Sequence, residues 1–180
     1  MRSVEIIRDS LGRVHELIPA TLDGLDADDL TWRPDERSNP IGWLVWHLCR
    51  AEDGSVANIA AIEQAWLSGG WQERFALPYE PKAGGFGQSD EQVGQFTVPG
   101  PDLLVGYAAA VAEQTGRVLD ALGDDELDRV IDTRWDPPVT VGTRLVSIMV
   151  ETAQHIGQVA YLKGLRERAK GVESGWRGYV

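Results

Sequence analysis

At 180 residues the chain is long enough for one well-buried core and short for two, so residues 1–170 are expected to form one domain with 171–180 as a C-terminal tail. Hydrophobic residues at 43% and charged residues at 25% are the mix of a globular protein and exclude global disorder. A formal net charge of −11 opposes any broad polyanion-binding face, which excludes nucleic acid as the expected partner.

Residues 3–25 place Val4, Ile7, Leu11, Val14, Ile18, Leu22 and Leu25 at three-and-four spacing, which predicts a helix with one buried stripe and a possible kink at Pro19. Arg2, Glu5, Arg8 and Asp9 interrupt any apolar run there, so no signal peptide is expected. Residues 26–40, rich in Asp and Pro, read as a connector ending in Ser38-Asn39-Pro40, a cap followed by a proline in the first helical turn. A second helix is predicted from there to about Leu67, with Leu44, Leu48, Ile59, Ile62 and Trp66 inward and Gly69-Gly70 as its stop.

Residues 71–101 are rich in Gly and Pro, including Gly84-Gly85-Phe86-Gly87, and carry no sustained period, which predicts a long loop. The glycine cluster lacks the Lys-Ser/Thr ending of a phosphate loop and reads as a flexible lid or surface loop. A third helix runs from Pro101 to Leu122 with a stripe from Leu104 to Val118 and Gly123 as its stop. Residues 124–140 are acidic and then turn-like through Asp136-Pro137-Pro138; a fourth helix covers about Val141 to Arg168. The tail has no clear pattern. Four helices without convincing strand pairs predict an all-α four-helix bundle. No run approaches the roughly 18 apolar residues of a membrane span. The lone Cys49 excludes an intrachain disulfide, so a cytoplasmic protein is expected.

Glu151 and His155 stand four residues apart on the fourth helix, about 40° apart around its axis, and so share a face. Glu151 lies at the edge of an apolar arc, where a carboxylate needs a cation, an arginine such as Arg50, or a proton. His47 sits at the equivalent edge of the second helix. His47, Glu151 and His155 could therefore meet across the bundle as metal ligands, or remain an ion pair and two satisfied interior histidines.

The runs Trp32-Arg33-Pro34, Asn39-Pro-Ile-Gly-Trp-Leu-Val-Trp-His47-Leu and Glu151-Thr-Ala-Gln-His155-Ile-Gly-Gln158 closely resemble the DinB-like superfamily of metal-binding four-helix bundles. Many members carry histidine at both helix-four positions. The Glu151 seen here is similar to the mycothiol-dependent maleylpyruvate isomerase branch, where the set is His, Glu, His. The resemblance implies a divalent metal on His47, Glu151 and His155, with zinc favoured and nickel, iron or manganese as alternatives. It implies a low-molecular-weight thiol, mycothiol or a relative, in the open position, and a small electrophile as second substrate. Homodimers are common in the family. A thiol-dependent transferase or isomerase is the expected activity; the alternatives are a non-catalytic metal-binding protein and a metal-independent ligand-binding module.

Arg50 could take a substrate carboxylate or pair with Glu151 or a surface acid, and Gln158, one turn beyond His155, could orient a ligand. Asp53 and Arg144 are similar candidates. Trp43 and Trp46 line a pocket or simply pack. Cys49, about 200° around the helix from His47, reads as a small buried hydrophobe, and His15 as a surface residue.

Overall fold

A computed structural model describes residues 2–172, so most of the tail lies outside the described residues. Four long helices carry the fold: α1 (Ser3–Leu22), α3 (Ile41–Ala60), α7 (Pro101–Ala121) and α8 (Val141–Ala169). Between them lie the short α2 (Ala27–Thr31), α4 (Ala65–Ser68), α5 (Trp71–Phe75) and α6 (Asp90–Gly94), and a hairpin of β1 (Val130–Asp132) and β2 (Val139–Thr140). Helices α1 and α3 each pack against α7 and α8, which puts α1 and α3 on one diagonal of the bundle and α7 and α8 on the other. None of these helices is long and apolar enough to cross a membrane.

The expected all-α bundle is present, with four departures. The first helix carries through Pro19 but stops at Leu22, and the connector holds α2, capped by Asp26, whose carboxylate accepts from Asp29 N at 2.9 Å. The second helix stops at Ala60 rather than Leu67. Ala61 takes a left-handed conformation (φ 53°), and the buried carboxylate of Asp53 accepts from the free amides of Ala65 (2.8 Å) and Trp66 (2.9 Å), so α4 starts as a separate turn folded back onto α3. Ile62, expected inward, is consequently 47% exposed. The loop 71–101 contains α5 and α6; α6 begins at a Ser89 capping box with Gln92. Residues 130–140 form an antiparallel pair, with Val130 opposite Thr140. Each of these elements is too short for a period to register in the sequence.

The apolar core has two parts. One gathers Ile18, Leu48, Cys49, Val111 and Ile156; the other gathers Leu11, Val56, Val118 and Ile148. A polar layer drawn from all four long helices lies between them: His15, Glu52, Thr115 and Thr152. Glu52 is fully buried, accepting from Thr115 Oγ1 at 2.6 Å and facing His15 Nε2 at 3.0 Å from both oxygens. His15 was expected at the surface. Its ring instead reaches across the diagonal to Glu52 and is only 11% exposed. Burying Glu52 without such partners would cost several kcal/mol, roughly 3–5, so the layer ties α3 to α1 and α7 at one height.

Candidate metal centre

His47, on the second turn of α3, faces Glu151 and His155 on α8. One donor atom from each lies within 4.8 Å of the other two, a group that could hold a metal ion. His47 is buried, whereas Glu151 and His155 are half-buried, so the space they share is closed on the α3 side and open beside α8. His47 Nε2 stands 3.4 Å from Glu151 Oε1. Two ligands each about 2.1 Å from a tetrahedral cation stand about 3.4 Å apart, so this spacing suits one ion.

The remaining ring nitrogens are already engaged. Nδ1 of His47 bonds the carbonyl of Gly84, and Nδ1 of His155 bonds Gln158 Oε1 at 2.8 Å. A carbonyl and an amide oxygen can only accept here, so each ring carries a proton on Nδ1 and turns its Nε2 toward the shared space. Trp43 stacks on His47 with centroids 4.6 Å apart and planes at 16°, and its indole N–H donates to Gln88 at 2.8 Å. The rings of His47 and His155 meet edge to face at 4.9 Å. The hydrogen bond from His47 holds the Glu151 carboxyl below its ordinary pKa despite half-burial, with the nearby charges of His47, His155 and Arg144 acting in the same direction. A cation arriving at neutral pH therefore meets an ionised carboxylate and displaces only the proton that His47 directs at it.

The sequence pattern of the DinB superfamily matches residues 10–159, a span that includes all three donors. The chain belongs to the DinB superfamily. The crystal structure of a conserved protein from Enterococcus faecalis is similar throughout: 30% identity, TM-score 0.86, covering 92% of this chain and 97% of that one. No curated protein matches the chain significantly. DinB-like bundles bind metals, and the three donors described above stand where this family's pattern is matched.

The other residues singled out in the sequence take different places. Arg50 does not reach Glu151. Its buried guanidinium lies 4.9 Å from the Trp66 ring, donates to Gln64 Oε1 (2.8 Å) and Ala83 O (3.1 Å), and lies 3.4 Å from Asp53. It thereby ties residues 82–83 to α3, directly before the Gly84 carbonyl that orients His47. Asp53 also accepts from Tyr107 (2.9 Å) and Gln114 (3.0 Å), so its oxygens serve the fold. Trp46 is core. Cys49 is fully buried, and desolvation, with the charges of Glu52 and Asp53 adding to it, raises its thiol pKa well above the usual value; it offers no thiolate. Arg33 of the family-like run donates to Ser38 O (2.6 Å) and Asp90 O (3.2 Å), bracing the α6 region rather than the site.

The loop residues behind His47 were missed as site residues. Gly84–Gly87 reads as a lid by composition, but Gly84 and Gly85 are fastened against Trp43 and His47. The double glycine was the available signal, because φ at Gly85 is +94° and close approach leaves no room for a side chain.

Proposed function

We propose that the protein is a cytoplasmic, divalent-metal-dependent enzyme, zinc being the favoured ion, that activates a low-molecular-weight thiol such as mycothiol for transfer to, or isomerisation of, a small electrophile. The observation that carries this reading is the convergence of two imidazole Nε2 atoms and one ionised carboxylate on a site open on one side. Three protein ligands with a vacant position are the pattern of catalytic rather than structural zinc. A bound metal would lower the pKa of a thiol in that position, so that the nucleophilic thiolate exists at neutral pH.

The chain's own residues do the rest by position. Gly84 and Gln158 hold both imidazoles in one orientation, so neither ring must turn when a cation enters. Trp43 and Gly85 cover His47 and keep water from its far side. Glu151 and His155 border the opening, so thiol and electrophile approach along α8. Addition of the thiol sulfur to an unsaturated carbon forms a C–S bond and places a proton on the neighbouring carbon. Loss of the same sulfur and proton after bond rotation completes an isomerisation; retention of the sulfur gives a transfer product.

Metal analysis of gently purified protein, combined with a thermal-shift screen of small thiols on metal-loaded and metal-stripped protein, tests this reading. A thiol that raises the melting temperature only of the loaded form supports it. Chelation that lowers the melting temperature while every thiol is without effect would leave the metal a structural role, and protein that binds no divalent ion would overturn the site altogether.

A further inference from the structure

Two turns toward the N-terminus of α8 from Glu151 lies a second polar concavity of about 440 Å³, walled by Gly54, Ser55 and Asn58 of α3, Asp132 and Arg134 of the hairpin, and Arg144 of α8. Seven residues separate Arg144 from Glu151, which puts them on the same helical face about 10 Å apart along the axis. Ser55 follows His47 by eight residues on the facing helix, so metal centre and cavity lie along the same α3–α8 seam.

The charges in this cavity do not cancel. Arg134 forms a two-pronged pair with Asp132, Nε to Oδ1 at 2.9 Å and the second prong to Oδ2 at 2.8 Å, and its own backbone amide adds a third bond at 3.0 Å. Both oxygens of Asp132 are thus spent on Arg134. Arg144 reaches Oδ2 only at 3.5 Å, its one ion pair among the described residues, and its side chain is 31% exposed. One guanidinium is left in surplus, in a concave, hydroxyl- and amide-lined space, on a chain whose net charge is −11. An anion finds little other welcome on such a protein.

We propose that this cavity anchors a carboxylate of the reacting molecules, with Arg144 as its cation and Ser55 and Asn58 as neutral hydrogen-bond partners. The inference rests on the thiol-activating reading and narrows its ligands to acids whose charged end lies toward Arg144, along the α3–α8 seam from the metal centre. The carboxylate belongs either to the thiol or to the electrophile.

Cobalt-loaded protein distinguishes these sources, because thiolate bound to cobalt gives a charge-transfer absorption band. Glutathione, its diethyl ester, which has no carboxylate, and, without thiol, fumarate are titrated into wild type, Arg144→Gln and Asn58→Asp; the last brings a carboxylate to an exposed position at the rim. If the thiol carries the anchored group, Arg144→Gln weakens glutathione about tenfold or more and leaves the diester unchanged. If the electrophile carries it, only fumarate binding, read by calorimetry, falls by that factor. Asn58→Asp should weaken the same acid in either case. Equal binding of glutathione and its diester, with fumarate untouched by both substitutions, would overturn the anchoring role while leaving a cobalt–sulfur band intact. Absence of that band with every thiol would instead sink thiol activation, and fumarate would still report on Arg144.

Discussion

Gly85 packs so closely on His47 that a methyl group on its Cα would stand 2.7 Å from Nδ1 and 2.8 Å from the Trp43 ring. Gly85→Ala must therefore push the loop or the imidazole aside, and φ +94° adds strain of its own. We expect divalent-metal affinity to fall about tenfold or more, as for loss of an orienting partner, with helix content unchanged. Competition against a chromogenic chelator, alongside circular dichroism, checks both parts; wild-type affinity would show that the loop does not orient His47.

His155→Ala removes one of three donors and should abolish stoichiometric metal. Gln158→Leu keeps the donor but frees its tautomer, for a smaller loss of about tenfold. Elemental analysis of both variants separates the two roles, and an unchanged metal content in His155→Ala would remove the site.

Glu52→Ala leaves His15 and Thr115 facing an empty, buried position and should cost about 3–5 kcal/mol in chemical denaturation. Glu52→Gln retains hydrogen-bonding oxygen and should cost less. Equal, small effects would mean that the polar layer contributes little to the alignment of α3 with its neighbours.

Asp29 ties α2 to the end of α8. Burial pushes its pKa up, but Lys170 (2.9 Å), Arg166 (2.8 Å) and the Asp26 amide outweigh this and hold it below the ordinary value. With a depressed folded pKa, its contribution is fully present above the unfolded value near 3.9 and is lost as pH falls through the lower folded one. Asp29→Asn should therefore destabilise by about 1–3 kcal/mol at neutral pH. The gap in melting temperature between wild type and variant should close below about pH 4; a gap that persists into strong acid would contradict the assignment.

The four long helices were legible in the chain because each buries a stripe at helical spacing over many turns, and Glu151 with His155 was legible because four residues fix an angle within one helix. The break after Ala60 was not, since it depends on Asp53 capturing amides twelve and thirteen residues ahead. Neither was the role of His15, whose Glu52 partner lies on the diagonal helix, nor that of Arg50, whose partners come from three separate segments. What the sequence determined by itself was local and periodic: helices, stripes and a pair of donors on one face. Only tertiary structure decided that His47 stands opposite that pair, that Gly84 sets its tautomer and that Arg144 is left with charge to spare, because each depends on side chains brought together from distant segments by packing, for which no residue spacing exists.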